Sequence, residues 1–295
     1  MLLSKTKEFD DIIESASLFL EAPIKYIRKD FYAISILKEL VSHDTKFVFK
    51  GGTSLSVCQK IINRFSEDID ISYEDEVIPV GNRKRIKQAF ISSIEAAGLS
   101  ISNLENIRSR RVFNRYLCPF SNNDQVIVEW ATQTPSFPIE EKSAQTLIGK
   151  YLELNDAQDL LDKYDLRPFT VKTVTVERTM VDKIFAICDY HINKKIDRQS
   201  RHIYDLRCLL KKVKLDSDLI DLLERVRVYR IKLEACLSAK EGMILSNILF
   251  DLIKEETYKA DYNEKTYPLL YDRVTYEESI EAIKTIARFL RENNL

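Results

Sequence analysis

The amino-acid sequence predicts an α+β protein, and three observations carry that prediction. Through the first 175 residues, short runs of β-branched and aromatic residues alternate with runs of helical spacing. From Glu177 onward every periodic segment is helical. Between a strand pattern and a helix pattern stands "KGGTS", where two of the six glycines, Gly51 and Gly52, lie side by side. The chain therefore divides into an N-terminal α/β domain, residues 1–175, and a C-terminal helical bundle, residues 176–295.

Taken in order, Phe9 to Leu20 and Asp30 to Val41 space their apolar residues at three and four and predict two leading helices. "KFVFK" predicts a strand, "TSLSVCQKII" a helix opened by the hydroxyl residues Thr53 and Ser54, and "DIDISY" a second strand. "NRKRIKQAFISSIEAAG" predicts a helix closed by Gly98, a residue type suited to the left-handed turn after a helix. "RVFNRYLCPF" and "DQVIVEWAT", around the turn "SNND", predict a hairpin. Beyond the proline loop "TPSFP", Glu141 to Asp165 reads as polar helix and "FTVKTVTV" as a last strand. Helices are then predicted over Glu177 to His191, Ser200 to Lys212, Asp216 to Leu237, Lys240 to Tyr258 and Tyr276 to Glu292.

Composition excludes several classes. Hydrophobic residues at 45% and charged residues at 31% are those of a globular protein, not of a disordered chain. Lysine plus arginine (45) nearly balances aspartate plus glutamate (46), so a polyanionic partner must be met by a local patch. Three clusters supply candidates: Arg83 to Lys87, Arg108 to Arg115 and Lys194 to His202. Five widely spaced cysteines without a CxxC pair predict reduced structural thiols, and His43, His191 and His202 share no metal spacing. The N-terminus lacks the pattern of a signal peptide and no run approaches the ~18 apolar residues of a membrane helix. A cytoplasmic protein without membrane contact is expected.

The chemistry concentrates in "FKGGTSLSVCQKIINRFSEDIDIS". Alternate strand residues share a face, so Asp68 and Asp70 stand about 6 to 7 Å apart at their α-carbons. Two carboxylates so close repel unless a cation lies between them, and Mg²⁺ suits a site of few carboxylates completed by water and phosphate. The glycine pair allows a tight turn and an unobstructed approach to the backbone, and a helix start presents free N–H groups to phosphate. The order of residues is not that of a P-loop. Glu129, in "VIVEW", is a candidate third carboxylate; the alternative is a salt-bridged glutamate at a strand end. Ser66 shares the Asp68 face and could hydrogen-bond a nucleotide.

"GG" with a hydroxyl residue, followed by "RFSEDIDIS", resembles the nucleotidyltransferase superfamily of polymerase-β-like fold, and within it the AbiEii/MenT branch, toxins of type IV toxin–antitoxin systems. "VERTMVDKIFAI" is similar to the helix that carries a lysine in that branch, here Lys183. "RQSRHIYDLRCLL" is similar to its arginine, aromatic, aspartate, leucine signature, here Arg201, Tyr204 and Asp205. The resemblance covers roughly residues 45 to 215. It departs from the pattern in the fifteen residues between Gly52 and Asp68, and in His202, where an aspartate often stands.

The resemblance implies a mixed sheet with flanking helices and an NTP substrate, GTP or CTP. Catalysis would fall to Asp68, Asp70, Lys183 and Asp205, with Mg²⁺ or Mn²⁺ at Asp68, Asp70 and Glu129. Nucleotide would meet Gly51, Gly52, Thr53, Ser54, Ser66 and Lys183. The implied acceptor is RNA, the 3′ end of tRNA, with a cognate antitoxin encoded nearby. Two alternatives stay open: transfer of phosphate or nucleotide to a protein hydroxyl, and a non-catalytic nucleotide or RNA binder. Lys183 and Asp205 read without the resemblance are a surface ion pair.

Overall fold

The structure is a computed structural model that describes residues 2–44, 46–66, 68–75 and 78–295. It forms two compact units: a sheet unit, Met1–Gln59 with Ser66–Thr173, and a helical unit, Lys60–Phe65 with Val174–Leu295.

In the sheet unit, α1 (Glu8–Phe19) and α2 (Ile24–His43) lead into β1 (Phe47–Lys50), α3 (Gly51–Val57) and β2 (Asp68–Tyr73). Next come α4 (Val80–Ala96), β3 (Phe113–Pro119), β4 (Gln125–Ala131), β5 (Ile139–Ala144), α5 (Leu147–Leu154), α6 (Gln158–Lys163) and β6 (Phe169–Val174). The six strands form one mixed sheet in the order β3-β4-β2-β1-β6-β5. β2 runs antiparallel to β1 and parallel to β4, which closes the predicted hairpin with β3. The α+β class and the mixed sheet with flanking helices are as expected.

Alternation explains the layers. Ile69 and Ile71 of β2, with Tyr116 and Trp130 of β3 and β4, are buried. They belong to the core that α2 and α4 cover: Phe90 of α4 stacks on Tyr116 with ring centroids 5.1 Å apart and meets Trp130 edge-on. Asp68, Asp70 and Ser72 point to the opposite face.

Three expectations are corrected. Helix α3 begins at Gly51 itself and ends at Val57, short of the predicted Ile62, because the chain then leaves the sheet unit for residues 60–65. The stretch read as polar helix from Glu141 contains β5, an edge strand whose sequence, "IEEKSA", hides its pattern behind charges. Charged side chains are a common protection for an exposed edge, and they mask the alternation by which strands are recognised.

The helical unit is built on α7 (Val176–Ile192) and α8 (Arg201–Leu210), followed by α9 (Ser217–Arg230), α10 (Leu245–Lys254), a single turn α11 (Lys259–Asp261) and α12 (Tyr276–Glu292). α12 packs on α8 and α10, and α7 on α8, α9 and α10. The third correction is here: α9 and α10 are shorter than predicted. Between them Gly242 adopts φ +78°, and Ser238 donates from both its N–H and its hydroxyl to Asp189 of α7 (2.8 and 2.7 Å), which draws the segment out of helix. Residues 63–65 lie against 269–271: Phe65 N–H bonds to Leu269, Tyr271 N–H to Asn63, and Arg64 bridges Leu270. Among the described residues no helix is long and apolar enough to cross a membrane.

Candidate active site

Strand register builds the acidic half. Asp70 pairs with Lys50 of β1 on one side and Glu129 of β4 on the other, and Glu129 pairs with Arg115 of β3. The result is one row across four strands, Lys50, Asp70, Glu129, Arg115, in which two carboxylates are flanked by two cations. Asp68 lies one step along the same face, opposite Ile127. Both aspartates are half-buried.

Glu129 thus stands beside Asp70, where a third metal carboxylate was expected, but its Oε1 accepts from Arg115 Nε at 2.7 Å, with Nη2 at 2.5 Å. Among the described residues no three His, Cys, Asp or Glu side chains gather closely enough to hold a metal ion. Asp68 and Asp70 on one face, with Glu129 beside Asp70, suit a hard cation whose other positions are left to water and substrate phosphate.

The first glycine of the pair has a steric reason. Gly51 has φ +76°, and a Cβ built on it would lie 1.8 Å from Oδ2 of Asp70. Only a bare α-carbon lets the carboxylate sit there. Thr53 and Ser54 are buried and engaged within the fold: Thr53 donates to the carbonyl of Asp68, and Ser54 donates to the carbonyl of Gly51 at 3.0 Å. Ser66 Oγ lies 3.0 Å from Thr53 Oγ1. These hydroxyls fix where β2 begins relative to α3.

In the helical unit, Lys183 of α7 and Asp205 of α8 form a buried contact, Nζ to Oδ2 2.6 Å, and not the surface pair that the residues alone allowed. The same carboxylate receives Arg64, Nε to Oδ1 at 2.7 Å and Nη2 to Oδ2 at 2.8 Å. Burial by itself would raise the Asp205 carboxyl, but the Arg64 and Lys183 charges outweigh it and hold it well below the usual carboxylate range. Burial lowers the Lys183 ammonium against the pull of Asp205. With two cations and one carboxylate, the triad keeps one positive charge in excess.

Arg64 escaped the sequence reading. It lies in "NRFSED", directly ahead of the aspartate strand, but in a stretch without periodicity, and its partner is 141 positions away. Tyr204 is buried, its hydroxyl donating to Asp272 (2.9 Å) and accepting from Asn63 N–H (3.0 Å), so it holds residues 60–65 in place. Arg201 opens α8. Burial, followed by the Lys183 and Arg201 charges, pushes His202 well below the ordinary histidine range, so it is neutral near pH 7. All five cysteines are free and buried, with Cys58 and Cys118 pushed up to about 12 by burial. The first two basic clusters belong to the sheet unit and the third to the helical unit.

Comparison with known proteins supplies what geometry leaves open. The family profile described as nucleotidyl transferase AbiEii toxin, type IV TA system, matches residues 35–284. Among solved structures, the chain is similar to MenT4, a nucleotidyltransferase toxin from Mycobacterium tuberculosis H37Rv, with a TM-score of 0.58 and 17% identity, over 95% of this chain and 89% of that one. At that identity the likeness shows the fold. No curated protein matches the sequence.

Proposed function

Since this chain belongs to the AbiEii nucleotidyltransferase toxin family of type IV toxin–antitoxin systems, we propose that it moves a nucleotide from an NTP to an RNA acceptor, the 3′ end of tRNA. The observation that carries the reading is the pair Asp68 and Asp70 on one face of β2, with Gly51 cleared of a side chain beneath Asp70. A protein that only bound nucleotide would have no need of that arrangement. Family membership implies a cognate antitoxin.

Asp68 and Asp70 hold Mg²⁺ or Mn²⁺, which when bound offsets the charge that develops on the leaving pyrophosphate. Asp70 or Glu129, neighbours across β2 and β4, aligns the attacking hydroxyl and takes its proton. Gly51 and Gly52 admit the nucleotide phosphates to the backbone, while Thr53, Ser54 and Ser66 keep that backbone placed. Lys183 meets the triphosphate as a point charge oriented by Asp205; the excess positive charge of its triad supports that role.

The test incubates the protein with each radiolabelled NTP, Mg²⁺ and total RNA, and repeats this with Asp68→Ala and Lys183→Met. Label on RNA with wild type alone is expected, with GTP or CTP as donor. Label on the protein instead would transfer the reading to a protein-hydroxyl acceptor. No label on either, with nucleotide binding unchanged in Asp68→Ala, would leave a binder and not a transferase.

A further inference from the structure

Apart from Arg115, the basic clusters of the sheet unit take no part in the chemistry just described, yet they converge. On the sheet face opposite Asp70, a cavity of about 130 Å³ opens between α4, the 108–112 loop and the strands β3 and β4. Ile78, Ile86, Tyr116 and Trp130 line it, all buried, together with the buried Asn114, whose amide is bonded to the backbone of Arg108. Arg83, Lys87 and Arg111 line its mouth, and no carboxylate is among the described lining residues. Arg83 and Lys87 are one helical turn apart on α4 and share a side. Lys87 Nζ also donates to the carbonyl of Ile107 (3.1 Å) and so ties the loop to the helix.

The cavity has a route to the acidic row. β3 is an edge strand, and its residues alternate between the two faces. Tyr116 lies on the cavity side, and Arg115, next to it, lies on the other side in the row that contains Asp70. Val112 and Phe113, at the start of β3, are 45% and 38% exposed. Cations and exposed apolar side chains thus continue around the sheet edge from one face to the other. At about 130 Å³ the cavity is a little smaller than the ~150 Å³ apolar cavity that encloses benzene, so it takes the edge of a single pyrimidine ring and is too small for a purine.

We propose that this cavity is a second contact for the acceptor RNA. A single-stranded nucleotide away from the reacting end places the edge of its base in the cavity, and its flanking phosphates lie on Arg83, Lys87 and Arg111. The inference rests on the reading that the acceptor is RNA. Unstacked bases in apolar pockets with cations along the backbone are how single strands are held. Arg115, held by Glu129, meets a phosphate between this contact and the aspartates.

The test measures binding of a short fluorescent single-stranded RNA of mixed sequence to the full chain by anisotropy over a range of salt. NTP-dependent labelling is followed in parallel. The variants are Arg83→Gln with Arg111→Gln, which removes two phosphate contacts, and Ser109→Phe, which fills the cavity. Arg85→Gln is the control, on the same helix but paired with Asp44. The double variant is expected to bind about tenfold or more weakly, with the slope of log Kd against log salt shallower by ~1.4. Ser109→Phe should weaken binding with its slope unchanged, and Arg85→Gln should match wild type. Absence of RNA binding by wild type, binding that neither cavity variant weakens, or an equal loss in Arg85→Gln would each overturn the proposal. Lost labelling with cavity-dependent RNA binding intact would instead count against the transferase reading alone.

Discussion

At the scale of single residues, the site depends on one missing side chain and one shared carboxylate. Gly51→Ala would drive a methyl group into Oδ2 of Asp70 at a backbone angle that alanine resists. We expect a loss of roughly 2 kcal/mol in urea unfolding and no detectable nucleotide transfer. Asp205 answers to two cations, and of these Arg64 alone reaches both carboxylate oxygens, so removing it leaves Oδ1 buried without that donor. Arg64→Ala should cost about 1–3 kcal/mol by the same measurement, well above the effect of replacing an exposed arginine such as Arg110. The folded carboxyl of Asp205 is held below its unfolded value. Its contribution is therefore complete above the unfolded pKa and lost as pH falls through the folded one. Acid unfolding should begin at a higher pH in Arg64→Ala than in wild type.

At the scale of elements, α2 and α5 are joined through Asp30, whose Oδ2 accepts from Leu147 N–H at 2.6 Å. Burial outweighs that bond and pushes the Asp30 carboxyl up to about 7. The folded pKa is above the unfolded one, so the folded state holds a proton that the unfolded state lacks. The stability from it is complete below the unfolded value, near 4, and disappears as pH rises through about 7. Asp30→Asn should melt with wild type at pH 4 and above it at pH 8 by calorimetry. Elements were legible where burial imposes a period: β2 shows Ile69 and Ile71 inward and the aspartates outward, and the β3–β4 hairpin stands out in the same way. They were illegible where solvent sets the composition, as in the charged edge strand β5, or where one distant contact bends the chain, as Asp189 bends it at Ser238.

At the scale of the whole molecule, a net charge of −1 conceals an uneven distribution: the basic residues that matter are local and mostly in the first unit. The change from mixed to purely helical patterns near residue 175 falls close to the passage of the chain between its units at 173/174. The passage of residues 60–65 into the helical unit was not visible, because "KII" continues the pattern of the preceding helix and the contacts that claim the stretch, from Asp205, Tyr204 and Leu270, are scattered over the last third of the chain.

That passage decides how the protein can be cut. The chain crosses between its units at 59/60, 65/66 and 173/174, so the helical unit is not a contiguous segment. A fragment of residues 174–295 would carry Lys183 and Asp205 without Arg64, and its Tyr204 would lose the Asn63 N–H. We expect such a fragment to be unfolded by circular dichroism and proton NMR, and a version with residues 60–65 tethered to it to recover structure. The helical half is thus not a portable module, and any shuffling of such domains between proteins has to carry along the short passage that leads into the aspartate strand.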